Sequence, residues 1–364
     1  MTNNTKQRIF YFDALRAFAI IAVILIHIFN STIFMVKADY ALIPSLTWWF
    51  ECFLGSAFRT GVGIFLMLSG ALLLGRNWEI RPFLKKRMPR IVEPFLFWGL
   101  VLSVVMVSVS YFYPEFINTI DTFTISSFLH YLYDSYMAIN PGFTQIWYFW
   151  MILGIYLILP VFNKWIIHSD SNEMEYFLVI WLITCIFDFS IDYDFPIKLT
   201  YFSGPIGLVV LGYYLRNTKR SIFNNLNYSL LILLIGFLAN VIVCYVCSDV
   251  HTFFKVDRYS ITNVVLTIGI FLVFKNFSKI DFKPNFLYDS NGFFRKSVSS
   301  ISKYSYGMYF NHRVFMIIIY RYFRHIINVP ELIVTMFIGT LMVSWLLMII
   351  LDRIPYIREI IGAK

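Results

Sequence analysis

Apolar residues fall along this chain in long runs rather than in narrow stripes, and the runs set its expected architecture. Stretches of the roughly 20 apolar residues needed to cross a bilayer lie near 10–33, 48–75, 91–113, 146–167, 175–191, 199–216, 226–248, 259–277, 304–325 and 331–352. The pattern predicts an all-α polytopic membrane protein with about ten transmembrane helices. A shorter stretch, 123–139, carries His130 and Asp134, and it predicts a helix lying on or dipping into the outer face, with an eleventh span as the alternative. Lysines and arginines orient the chain. They gather at Lys6 and Arg8, between Arg76 and Arg90, from Arg216 to Arg220, from Lys275 to Lys303 and at Arg353, Arg358 and Lys364, whereas 114–145 has none. By the positive-inside rule both termini are expected in the cytoplasm.

Polar residues that interrupt the runs carry the chemical information. Tyr11-Phe12-Asp13-Ala14-Leu15-Arg16 opens the first span and His27 lies deeper in it. An ionisable side chain inside a span is costly unless it pairs or works. Arg16 and His27 are eleven positions apart, which is three helical turns plus only about 20°, so they share one face at roughly 16 Å along the axis. Asp13, three residues before Arg16, is close enough to pair with it.

Composition agrees with the runs. Of 364 residues, 59% are hydrophobic and only 14% charged, which excludes an ordinary soluble globule. The formal charge of +9 reads as topogenic rather than as a nucleic-acid footprint. Cys52, Cys185, Cys244 and Cys247 offer no disulfide framework, and Cys244 with Cys247 lacks the second pair that a four-ligand metal site needs; no metal is expected. The first apolar run is long enough to span and lacks a small-residue cleavage site, so no cleaved signal peptide is expected. One membrane-embedded domain, 1–364, without a fused extracytoplasmic domain, is the expected organisation.

Five stretches then point one way. They are Phe12-Asp13-x-Leu15-Arg16 with His27; Phe65-Leu66-Met67-Leu68-Ser69-Gly70; Arg87-Met88-Pro89-Arg90 with Pro94; Trp147-Tyr148 with Tyr156 and Pro160; and Ser305-Tyr306-Gly307-Met308-Tyr309-Phe310-Asn311-His312. In this order they resemble the acyltransferase family 3 integral membrane proteins, typified by bacterial O-acetyltransferases of cell-surface polysaccharides. The resemblance implies transfer of an acyl group, acetyl above all, from cytoplasmic acetyl-CoA or another acyl-CoA to a hydroxyl of a cell-envelope glycan or its lipid-linked precursor. It also implies residence in the cell (inner) membrane.

Each candidate carries a plain reading beside the chemical one. His27 suits a base or a transient acyl carrier because imidazole titrates near neutral pH; otherwise it is a core histidine bonded to a neighbouring helix. Arg16 would steer the thioester, with Asp13 fixing its guanidinium, or the two form a structural ion pair. Arg87 and Arg90, one turn apart, suit the phosphates of a nucleotide-like donor, whereas Arg81, Lys85 and Lys86 read as topogenic charge. Ser69 and Gly70 would let helices approach, with Ser69 on the donor path by resemblance. Tyr306 and His312 line the acyl channel by resemblance, or make interhelical hydrogen bonds together with Asn311. Glu51, Arg59, Glu93, Asp188 and Arg313 are further embedded charges in need of partners. The rival class is a secondary transporter that uses the buried Arg, His and Asp as a proton or ion path; against it, no paired Gly/Pro-interrupted helices recur in two halves.

Overall fold

A computed structural model describes residues 9–39, 55–115, 118–120, 122–191, 204–249, 257–279 and 292–363. Lys6, Arg8, Glu51, Cys52 and Lys364 lie outside the described residues, as does the side chain of Cys247. Every regular element among the described residues is helical. The α-helices longer than one turn are α1 (Phe10–Asp39), α2 (Gly61–Leu73), α3 (Ile80–Phe112), α4 (Ile125–Tyr136), α5 (Trp147–His168), α6 (Ser171–Phe187), α7 (Ile206–Asn217), α8 (Leu226–Asp249), α9 (Ile261–Phe277), α10 (Phe293–Phe323), α11 (Val329–Leu351) and α12 (Pro355–Ile360).

The expected count of ten spans is corrected by these lengths. Five helical stretches among the described residues are long and apolar enough to cross a membrane: Phe10–Phe29, Ile80–Phe112, Gly142–His168, Leu226–Cys244 and Val329–Leu351. The runs at 48–75 and 199–216 yield α2 and α7, of 13 and 12 residues, only about 18–20 Å long against a hydrocarbon core of about 30 Å. Helices α6 and α9 have 17 residues each. The run at 304–325 belongs to α10, whose 31 residues include Arg295, Lys296, Lys303, Arg313 and Arg321. With five candidate spans among the described residues, the alternation of ten spans that put both termini in the cytoplasm does not hold.

Apolar runs overcount spans because protein can cover a helix as well as lipid can. Helix α2 buries Ile64, Leu66, Met67 and Leu68, and α7 buries Leu208, Val209, Val210 and Leu211. Helix α8 instead exposes Leu230, Leu231, Leu234, Ile235, Leu238 and Ile242, a surface suited to acyl chains.

The chain divides into two compact units. The first takes the described residues of Met1–Ala22, Ser56–Leu74 and Ser169–Lys303. Its centre is the crossing of α2 and α7, where a methyl on Gly70 would overlap the Val209 carbonyl and one on Gly212 the Met67 carbonyl. Only glycine permits backbones to approach so closely. The Arg216 guanidinium donates to the Ala71 carbonyl and lies 5.3 Å from the Phe12 ring, which ties α1 to the same crossing.

The second unit takes Val23–Gly55, Gly75–His168 and Tyr304–Lys364. Aromatic packing holds α3 to α5: the Phe95 and Phe149 rings stack at 3.6 Å, and Tyr136 Oη of α4 donates to the Leu96 carbonyl at 2.7 Å. The buried Trp98 indole donates to the Ile361 carbonyl at 3.1 Å, which fixes the segment after α12 against α3. Tyr309 Oη donates to the Gln145 carbonyl at 2.8 Å, and Gln145 Nε2 donates to the Phe310 carbonyl at 2.9 Å. These reciprocal bonds clamp α10 to the 3-10 turn Pro141–Ile146 and set the rotation at which His312 and Arg313 are presented.

Candidate active site

Two histidines and an arginine meet inside the second unit. Arg313 Nη1 of α10 lies 3.1 Å from His27 Nδ1 of α1, and the rings of His27 and His312 stand 5.2 Å apart. His312 is fully buried, with Nδ1 3.1 Å from the Met308 carbonyl one turn earlier.

These partners fix which nitrogen of each ring carries the proton. A guanidinium can only donate, so His27 Nδ1 accepts, and in the neutral ring the proton of His27 sits on Nε2. A carbonyl can only accept, so His312 Nδ1 donates to Met308 and its Nε2 holds the lone pair. The two rings are therefore opposite in character. Neutral His27 carries its proton on Nε2, and neutral His312 carries its lone pair there. Among the described residues His312 Nε2 is buried without a hydrogen-bond partner, and so are both amide atoms of Asn311 and Oε1 of Gln145. A buried polar atom left unmatched costs about 1–3 kcal/mol.

Asp13 and Arg16 are found in the first unit, among their own neighbours. Asp13 Oδ1 lies 3.7 Å from Arg16 Nη1 and accepts from Ser302 Oγ at 2.9 Å, while Arg16 Nη1 donates to the same hydroxyl at 3.4 Å. Asp13 is buried and Arg16 partly exposed, so the carboxylate is held by two donors while the guanidinium keeps some access. Ser69 Oγ, on α2, donates to the Phe65 carbonyl at 3.0 Å, the usual retreat of a serine within an apolar helix.

The arginines at the start of α3 belong to the second unit. Arg87 is half-buried and Arg90 exposed, and Arg87 lies within electrostatic range of Tyr156, Arg90 and Arg76. The turn that carries Arg76 is held by Asn163 of α5, whose Oδ1 accepts from Gly75 N–H at 2.8 Å and whose Nδ2 donates to the Arg76 carbonyl at 2.9 Å. Gly75 takes a left-handed φ of 69°, which suits glycine. Tyr306 Oη donates to the Ile91 carbonyl at 3.1 Å, so its hydroxyl serves the α3–α10 contact.

The sequence leaves Arg313 without an assigned partner and does not single out Arg76 or Ser302. Arg313 was recognisable as an embedded charge beside the His312 motif, but no spacing rule links it to His27, almost three hundred positions away. Arg76 reads in the sequence as topogenic charge. Ser302 carried no signal, being one serine among several.

A helical membrane protein that sets a buried histidine and a half-buried one beside a guanidinium, with three arginines at the head of a spanning helix, belongs to the class of multi-pass membrane enzymes with a polar intramembrane centre. The chain is a member of acyltransferase family 3: the family's model, described as an acyltransferase domain, matches residues 9–349. No curated protein and no solved structure matches the chain. Membership makes it a multi-pass membrane acyltransferase with an acyl-CoA-type donor. Among the described residues no group of three or more His, Cys, Asp or Glu side chains is placed to hold a metal ion.

Proposed function

We propose that this protein is a single membrane-embedded O-acyltransferase domain that moves an acetyl group from acetyl-CoA to a hydroxyl of a cell-surface glycan or its lipid-linked precursor. The observation that carries the reading is the Arg313 contact on His27. It commits Nδ1 as an acceptor, so a neutral His27 carries its proton on Nε2. A thioester carbonyl gains negative charge on oxygen when a hydroxyl attacks it, and a positioned N–H backed by a fixed guanidinium answers that charge without reorganising. His27 is thus the residue set to polarise the donor, in place of the base or acyl-carrier role expected from its position alone.

The remaining candidates take supporting parts in this reading. Arg87 and Arg90, joined by Arg76, suit the phosphates of CoA, since forked guanidinium donors match phosphate oxygens. Asp13 and Arg16 set the first turns of α1, and Arg16 keeps enough exposure to meet a passing anion. Ser69 and Tyr306 act through helix packing, because the structure gives each hydroxyl a backbone partner.

The test uses protein purified in membranes with radiolabelled acetyl-CoA. Label should pass to a glycan acceptor with release of CoA, and His27→Ala should abolish this while the protein remains inserted and folded. Near-normal turnover in that variant, or no binding of acetyl-CoA by the wild-type protein, would sink the reading.

A further inference from the structure

We infer that His312 is the general base that takes the proton from the acceptor hydroxyl, so that the two histidines divide the reaction. This rests on the acyl-transfer reading above and adds to it the identity of the proton acceptor. Acyl transfer to a hydroxyl needs an N–H donor for the carbonyl oxygen and a lone pair for the hydroxyl proton. One neutral imidazole has both, but its tautomer is dictated by whatever holds the other nitrogen. At His27 the guanidinium has claimed the Nδ1 lone pair. At His312 the Met308 carbonyl has claimed the Nδ1 proton. The lone pair that the reaction needs is therefore on His312 Nε2, buried and unmatched among the described residues.

The bland account is that His312 is a core residue satisfied by Met308. Half of it is satisfied; the other half is not, and buried polar atoms are seldom left without a partner. A buried acceptor 5.2 Å, ring to ring, from a histidine set as a donor is the arrangement that a hydroxyl and a carbonyl would complete. In the step that follows, the acceptor O–H proton passes to His312 Nε2 as the oxygen bonds to the thioester carbon. The carbon–sulfur bond then breaks, CoA leaves as thiolate, and the proton on His312 returns to that sulfur. No oxidant, reductant or further reactant is needed.

His312→Asn decides between the two accounts. Asparagine places an amide N–H where Nδ1 stands and can keep the bond to Met308, yet it has no base. His312→Gln removes base and bond together. Acetyl-CoA binding to each variant serves as the folding check, and acceptor-dependent transfer is the readout. Base catalysis is worth about 10²–10⁴-fold, so His312→Asn should bind acetyl-CoA within about twofold of wild type and transfer it at least about a hundredfold more slowly. Transfer by His312→Asn within tenfold of wild type overturns the assignment and leaves the acyltransferase reading standing. Absence of transfer by the wild-type protein overturns the reading itself.

Should neither variant bind donor, His27→Gln decides through its residual transfer. Arg313 touches the His27 ring and Tyr309 packs at 5.9 Å from His312, and both stay in place. If His312 is the base, transfer by His27→Gln still falls as pH is lowered and the Nε2 lone pair is protonated, giving an acidic limb to its rate profile. Its loss in that variant would identify His27 as the base and refute the division.

Discussion

Replacing Arg313 with methionine tests the link on which the reading of His27 depends. The substitution removes the donor 3.1 Å from His27 Nδ1 and keeps a side chain of comparable length. A hydrogen bond involving a charged group is worth about 1.5–3 kcal/mol. At about 1.36 kcal/mol per tenfold in rate, the full bond sets an upper limit of roughly 160-fold on kcat. Without the guanidinium, His27 can adopt either tautomer and its Nε2–H is less polarised, so the part of that energy felt at the developing oxyanion is lost. We expect kcat to fall by about tenfold to a hundredfold, with the KM for acetyl-CoA changing less than about threefold, because the donor's phosphates are not involved. The assay is steady-state transfer of labelled acetyl to acceptor, with thermal unfolding as a control. That control matters because Arg313 is half-buried, and replacing a charge withdrawn from water by an apolar side chain can be neutral or stabilising. A folded Arg313→Met protein with kcat within threefold of wild type would refute the argument.

Three further outcomes follow from other parts of the molecule. Arg87→Ala combined with Arg90→Ala should raise the KM for acetyl-CoA several-fold and leave the acceptor KM unchanged, as charge-assisted bonds to phosphate require; unchanged donor dependence would remove these residues from the donor site. Gly70→Ala should cost about 1–3 kcal/mol of stability by overpacking at the α2–α7 crossing, whereas Ser69→Ala, which loses only the bond to Phe65, should leave melting and transfer almost unchanged; equal effects in thermal scans would contradict the packing account. On the first unit's polar edge, the hydrogen bond from Arg220 and then that from Tyr214 hold the Glu175 carboxyl below its ordinary pKa. A group depressed in the folded state adds stability that is present at neutral pH and lost as pH falls through the folded pKa, so Glu175→Gln should flatten the acid side of the stability profile, and an unaltered profile would show that the pair contributes nothing.

The helical class and the family were legible in the sequence, but the number of crossings was not. Hydropathy reports that a residue avoids water; it does not report what replaces the water. Leu208 and Val209 on α7 are covered by protein, while Leu234 and Leu238 on α8 are exposed, yet all four score alike in a run of apolar letters. Length would have helped only with known helix ends, and α2 ends at Leu73 inside a run drawn to 75. Small residues gave a better signal. The reason is geometric: Gly70 and Gly212 mark places where backbones touch, and a Cβ at either would meet the carbonyl of the facing helix.

Legibility in the site ran the same way. His27, Arg16 and His312 could be chosen from burial cost and motif order, but their chemical roles depend on partners that lie far off in sequence. The tautomer of His27 is set by Arg313, 286 positions away, and the pairing of Asp13 is completed by Ser302, 289 positions away. The tautomer of His312 is set by the carbonyl of Met308, and a carbonyl has no signature in a sequence because every residue has one. A histidine named from sequence is therefore only a candidate for proton chemistry. Whether it gives or takes the proton is decided by the atom on its other nitrogen, and here those atoms are a guanidinium for one ring and a carbonyl for the other. Such an opposed pair has no evident packing purpose, since two donors or two acceptors would fill the space equally well, but it supplies both halves of an acyl transfer to a hydroxyl.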